Sequence, residues 1–313
     1  MELPTEQEEL FDKEKPADQW EMQATKRALD ELFVLVCQYK SSESYSQLIQ
    51  FITRFHFYSP YNAMLIHIQM PGAEFVAPAH RWRDKYGRTV KPDARPIVIL
   101  QPMGPVMFVF DVANTEPGNH AKPLPLEVVN PFEVRSGSIR YEWEKTIENA
   151  KRDGIRILIP QQGSQSAGRI SKTQNQTQSQ MFQTGKDKNG DPIFEQIPVR
   201  YELLINSNMK KPAQYATLVH ELAHLYCGHI GTPNNKWWPD RLGLNELSAE
   251  FEAESVTYLV CERLGIDNPS DKYLSSYLKK NQDIPNISIE CVMKVAGLIE
   301  QMGREHLKLR KKV

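Results

Sequence analysis

The apolar positions of this chain change period along its length, and the changes mark its elements. From Trp20 to Tyr39 they recur at three- and four-residue steps, at Ala28, Leu29, Leu32, Phe33, Leu35 and Val36, which predicts an amphipathic helix. A second helix is predicted over Tyr45–Phe57. A third lies in SPYNAMLIHIQM, with Ser59 as N-cap and Pro60 at the first helical position, where a missing N–H costs nothing. The runs EFVA, PIVILQP and VMFVFDV are short and β-like. Residues 114–131, NTEPGNHAKPLPLEVVNP, carry four prolines and no period, so they mark a boundary.

Beyond it, IRYEWEKTIENAKRDG predicts a helix closed by Gly154. IRILIP predicts a strand. Residues 161–180 are rich in Gln and Ser and receive no firm structure. KDKNGDP carries a hairpin signal at Asn189–Gly190. IPVRYELLIN predicts one strand, and helices are predicted over 212–227, 244–264, roughly 270–280 and 288–310. The expected fold class is α+β. It comprises a polar tail (1–16), an N-terminal domain (17–115), a proline-rich linker (116–131) and a second domain (132–313). A length of 313 residues agrees with two domains.

Composition narrows this little. Hydrophobic residues make up 40% and charged ones 25%, enough to bury a core. A formal net charge of −1 means that nucleic acid could be met only by a local basic patch. The four cysteines, Cys37, Cys227, Cys261 and Cys291, form no CxxC pair, which excludes a four-cysteine zinc knuckle and predicts reduced thiols. The start is acidic, without the apolar centre of a signal peptide, and no apolar run approaches the length of a membrane span. The expected location is the cytoplasm, with no membrane partner.

The chemistry concentrates in LVHELAHLYCGH, residues 218–229. On a helix, His220 and His224 lie one above the other and can point two imidazoles at one ion. Glu221 is one step on, about 100° around the axis, where it misses the ion but reaches a water bound to it. Zinc brings such a water to a pKa of about 7, and a carboxylate can then take its proton. Five residues alone are a weak signal. The apolar neighbours Leu218, Val219, Leu222, Ala223 and Leu225 strengthen it, because a buried helix holding these polar groups needs a compensating partner.

A third ligand is sought in NELSAEFEAESVTYLVCERLG. With Glu250 at the origin of a helical wheel, Glu254 falls at about 40° and Glu252 at about 200°. Glu250 and Glu254 then sit in the middle of the apolar arc, and Glu252 falls outside or at its edge. Glu250 is the expected third ligand and Glu254 the residue behind a ligating histidine, although spacing alone does not separate the two roles. Cys227 is expected to be a small buried residue, not a ligand. Tyr215, Tyr226, Tyr258 and His229 are candidate oxyanion donors. Tyr201–Asn206 could pair with an extended peptide if it lay at a sheet edge.

LVHELAHLYCGH followed by AEFEAESVTYLVCERLGI resembles the ImmA/IrrE and ArdC-like metallopeptidases, gluzincins with two histidines and one glutamate on zinc. RFHFYSPYNAMLIHIQMPGAEFVAPAHRW, with PIVILQP and MFVFDVANTE, resembles the N-terminal domain of ArdC-type antirestriction proteins. The resemblance spans roughly residues 20–270. It implies a single-stranded-DNA-binding N-terminal domain joined to a Zn2+ metallopeptidase domain with a small sheet and C-terminal helices, acting on a peptide or protein substrate. It leaves open a DNA-binding antirestriction protein with a structural zinc, or a protease acting on a repressor.

The residues themselves offer HRWRDKYGRTVKPDAR, six basic residues against two acidic, with interleaved aromatics as single-strand binders use. The candidates for nucleic-acid contact are Arg54, Arg81, Trp82, Arg83, Lys85, Tyr86 and Arg88. The bland alternative makes Trp82 a core residue and the basic loop a solvated surface.

Overall fold

The computed structural model describes residues 39–101, 104–124, 139–161, 167–173, 177–266, 274 and 283–310. The polar tail, nearly all of the helices expected over 20–39 and 270–280, and part of the proline-rich linker lie outside the described residues. The chain divides into two compact units, Met1–Arg135 with Tyr277–Ile284 and Ser136–Ser276 with Pro285–Val313. Both mix helices with small sheets.

In the first unit, α1 (Ser42–Arg54) starts where Ser41 Oγ accepts from Ser44 N and buries Tyr45, Leu48, Ile49 and Ile52 along one stripe. It ends three residues before the expected Phe57. α2 (Pro60–Gln69) is capped by Ser59, whose Oγ accepts from Asn62 N. A sheet runs in the order β1 (Val76–Ala77), β4 (Gly104–Asp111), β3 (Ile97–Gln101). Its β3 edge is closed by side-chain amides of α2. Asn62 exchanges two hydrogen bonds with the Leu100 backbone, and Gln69 does the same with Val98. A strand edge left without such partners would present unpaired N–H and C=O groups. Between β1 and β2 (Arg88–Val90) lies a short helix absent from the sequence expectation, α3 (Ala79–Asp84). β2 pairs with β5 (Thr115–Pro117).

The second unit opens with α4 (Arg140–Arg152). Gly154 follows its C-cap at φ 83°, and a Cβ there would sit 2.6 Å from Pro198 O, so only glycine fits the turn into β6 (Ile155–Leu158). The sheet order is β6, β10 (Tyr201–Ile205), β7 (Gly168–Lys172), with β10 parallel to β6 and antiparallel to β7. β7 arises inside the Gln/Ser-rich stretch that predicted nothing. β8 (Ser179–Lys186) and β9 (Pro192–Pro198) form the hairpin around Asn189–Gly190. The expected single strand IPVRYELLIN is two strands, because Val199 and Arg200 turn the chain from β9 into β10. Among the described residues, three helices complete the unit: α5 (Lys211–Tyr226), α6 (Glu246–Arg263) and α7 (Ile289–Arg304). α6 packs against both α5 and α7. The last helix stops at Arg304, short of 310, and residues beyond it run along α4 through Asn149 and Arg152.

Candidate metal centre

α5 is buried nearly all round. Leu218, Val219, Leu222, Ala223 and Leu225 are fully inaccessible, and the one partly open stripe carries Thr217, His220, Glu221 and His224. α6 is likewise covered by α5 and α7, and its accessible stripe carries Leu247, Glu250, Glu254, Tyr258 and Glu262. This corrects the wheel. Glu250 and Glu254 lie in the gap left between packed neighbours, not at the centre of a core. Glu252, placed outside the arc from sequence, is completely buried.

The two stripes bring three potential ligand side chains together. His220 Nε2 and His224 Nε2 are 3.1 Å apart, with Glu250 Oε2 3.6 Å from the first and Glu250 Oε1 3.3 Å from the second. Donors about 2.1 Å from one ion at tetrahedral angles are roughly 3.4 Å from each other, so the spacing of these three side chains suits a single tetrahedral ion. His220, His224 and Glu250 thus form a group able to hold a metal ion. Glu254 lies elsewhere, its Oε1 3.8 Å from Nδ1 on the far side of the His220 ring.

Protonation agrees with this division. Burial opposes charge on His220, but the Glu250 hydrogen bond and the charges of Glu254 and Glu221 outweigh it and raise its pKa. The two histidines hold the Glu250 carboxyl far below the usual carboxylate range, against the opposing effect of burial. Without a metal, a shared proton relieves the crowding of lone pairs and carboxylate. A dication would do so more fully.

Glu221 is fixed from the sheet. Its Oε2 accepts from Ile170 N on β7 at 2.8 Å. Burial raises its pKa, partly offset by His220, His224 and the Ile170 N–H. The close approach of β7 to α5 depends on Gly168, where a Cβ would meet Thr217 Cγ2 at 2.5 Å and Leu204 O at 2.8 Å.

Behind His224 runs a chain that the sequence did not reveal. His224 Nδ1 is 3.0 Å from His229 Nδ1, and His229 Nε2 is 2.9 Å from Glu252 Oε2. One proton assignment satisfies every contact. His224 donates from Nδ1 to His229 Nδ1, His229 donates from Nε2 to Glu252, and His224 Nε2 keeps its lone pair for the ion. The Glu252 carboxylate also accepts from both Arg241 Nη atoms at 2.6 Å and from Ser288 N at 2.7 Å. Burial would raise its pKa, but His229, Arg241 and Ser288 together lower it.

Gly228 makes the chain possible. At φ 84° it ends α5, and a Cβ there would lie 2.1 Å from Pro239 O. The loop therefore folds back closely, with Arg241 N donating to Gly228 O and buried Trp238 donating its indole N–H to Gly231 O. Cys227, His229 and Glu252 also lie close enough together to be considered a metal group. The Arg241 guanidinium already supplies the cation there, so a second ion is disfavoured.

The remaining expectations separate clearly. Tyr226 is buried and donates to Asp153, Tyr215 is fully buried within α5, and His229 is engaged as above, which removes all three as oxyanion donors. Tyr258 stays on the accessible stripe of α6. Cys227 is buried and groups with His229 and Glu252, not with His220, His224 and Glu250. Tyr201–Ile205 is the central strand, so it cannot take a peptide at its edge. Among the described residues, the edge strands of this sheet are β6 and β7.

In the first unit, Trp82 is wholly buried, with its indole N–H donating to Phe110 O and its ring against Phe75 and Tyr86. Trp82 and Tyr86 are therefore core residues and not stacking platforms, and Arg81 is buried beside them. Arg83 pairs with Asp84, and Arg88 is tied to Thr115. Arg54 and Lys85 are exposed.

No family model, no curated protein and no solved structure matches the chain. No helix among the described residues is long and apolar enough to cross a membrane.

Proposed function

We propose that the second unit is a zinc-dependent hydrolase of the metallopeptidase type, with His220, His224 and Glu250 as ligands and Glu221 as the proton-transferring residue. The observation that carries this reading is the convergence of three side chains, with His220 and His224 Nε2 3.1 Å apart and the two Glu250 oxygens 3.6 and 3.3 Å from them, on a partly open surface and one residue from a fixed carboxylate. Three protein ligands leave a position for substrate, whereas a structural zinc site takes four. Zinc bound there would act as a Lewis acid and activate water for attack on a carbonyl.

The chain's own residues supply the rest. The Ile170 N–H fixes one oxygen of Glu221, leaving the other to take a proton from the attacking water and return it to the leaving amine. The raised pKa of Glu221 makes it a stronger base than an exposed carboxylate. β7, with β10 on one side, offers its other edge to an extended chain beside Glu221, which favours a peptide over a compact small molecule. Single-stranded DNA binding by the first unit has no comparable support, since Trp82 and Tyr86 are core residues.

Glu221→Gln tests the assignment. Zinc content and fold are retained, and cleavage of an unfolded protein substrate falls by about 10²-fold or more. Unchanged cleavage in the variant would show that Glu221 does not transfer the proton. A zinc-bound wild type that cleaves no peptide bond would refute the hydrolase.

A further inference from the structure

We propose that Cys291 and Cys227 form a peroxide-reactive dithiol, with Cys291 as the attacked thiol and Cys227 as its resolving partner. The two belong to different elements. Cys227 caps the C-terminal end of α5, and Cys291 sits in the first turn of α7, its N–H held by the Ser288 hydroxyl. Their side chains are in hydrogen-bonding contact, and Cys291 Sγ lies 4.0 Å from the Cys227 carbonyl oxygen. Both are free thiols.

Their surroundings differ as the two roles require. Cys227 is completely buried. Cys291 is half-buried and lines a cavity of about 410 Å³ together with Trp237, Trp238, Arg241 and Lys294. The cavity gives a small oxidant a path to Cys291 alone. Arg241 stands beside both cysteines, with Nη1 3.3 Å from the Cys227 carbonyl, and the N-terminal end of α7 adds positive potential at Cys291. The Cys227 hydrogen bond, aided by Arg241, lowers the Cys291 pKa against burial, whereas Cys227 is pushed up by the same bond and by burial. The thiolate is the nucleophilic form, and these surroundings favour it at Cys291 over Cys227. By contrast, Cys261 is buried and its pKa is raised by burial.

The chemistry needs hydrogen peroxide or an alkyl hydroperoxide. The Cys291 sulfur attacks one peroxide oxygen, the O–O bond breaks, and hydroxide or alkoxide leaves and takes a proton. The sulfur is oxidised by two electrons to a sulfenic acid. The Cys227 sulfur then attacks it, the S–S bond forms, and the S–O bond breaks as water leaves with the Cys227 proton. The product ties the end of the helix carrying His220 and His224 to α7. Neither cysteine belongs to the proposed ligand set, so the reaction does not depend on the metal reading.

The test is peptide mass mapping of the full chain, reduced, freed of reductant, and treated with hydrogen peroxide both zinc-loaded and after chelation. The expected product in both is a Cys227–Cys291-linked peptide and a chain lighter by two hydrogens. Cys227→Ser is expected to trap the sulfenic acid at Cys291, detected as a dimedone adduct. The proposal is overturned if Cys261 or Cys37 oxidises before Cys291, or if Cys227 and Cys291 both remain thiols under peroxide. The wild-type map decides even if the variant does not fold.

Discussion

Replacing His229 with alanine separates a residue that positions His224 from one that merely fills space. The substitution removes the acceptor 3.0 Å from His224 Nδ1 and one of the contacts on Glu252. Glu252 keeps both Arg241 bonds and the Ser288 N–H, so its buried charge remains compensated. The main loss therefore falls on His224, whose ring and tautomer are no longer fixed. Losing such an outer partner weakens metal binding about 10–100-fold, or about 1.4–2.7 kcal/mol. Competition titration against a chromogenic zinc chelator measures this directly. His229→Asn places an amide oxygen near the lost Nδ1 and is expected to recover part of the affinity. Arg241→Ala provides the contrast. It leaves Glu252 buried without its countercharge, which costs about 3–5 kcal/mol of folding stability. Wild-type zinc affinity in a folded His229→Ala chain would refute the positioning role. Equal loss in the alanine and asparagine variants would refute its hydrogen-bond basis.

The geometry makes further predictions. Gly168→Ala drives a methyl group against Thr217 and the Leu204 carbonyl, so thermal unfolding should show a loss of about 1–3 kcal/mol, and hydrolysis should fall as β7 shifts from Glu221. Acid titration of the metal-free chain should reveal Glu252. Its folded pKa lies below its unfolded value, so its contribution is complete above the ordinary carboxylate range and disappears as pH falls through the lowered value. A Glu252→Gln chain should therefore show a flatter loss of stability between neutral and acid pH, and identical profiles would contradict the assignment. Glu221→Gln should retain zinc while losing hydrolysis, as measured by metal analysis and cleavage of an unfolded protein.

The parts of this site legible in the sequence are those fixed by local spacing. Two histidines four apart on an apolar helix must share a face, and the distance between His220 and His224 follows from helix geometry alone. Glu250 was nominated, with Glu254, because the wheel puts both in the middle of the apolar arc, although they in fact line the partly open stripe of α6. The error about Glu252 has a physical cause. A wheel assumes one buried face, whereas α6 packs against two helices, α5 and α7, so burial no longer follows the apolar arc. His229, Glu252 and Arg241 were illegible as a set because a tertiary turn at Gly228 brings them together, and no sequence period records it. β7 was missed because its residues, GRISK, are mostly polar and its stability comes from pairing with β10 and from Glu221. In the first unit the bland alternative is right for Trp82, but nothing in the sequence reading makes Tyr86 a core residue. Phe75, Trp82 and Tyr86 pack on one another, which sequence composition cannot distinguish from a stacking surface.

The central claim is that His220, His224 and Glu250 hold one zinc ion. Zinc stoichiometry and affinity of the purified full chain, set beside those of His220→Ala and Glu250→Ala, test it most directly. One ion per wild-type chain and sharply weakened binding in both variants is the predicted result. A wild-type chain that takes up no zinc, or variants that bind it as the wild type does, would contradict the account.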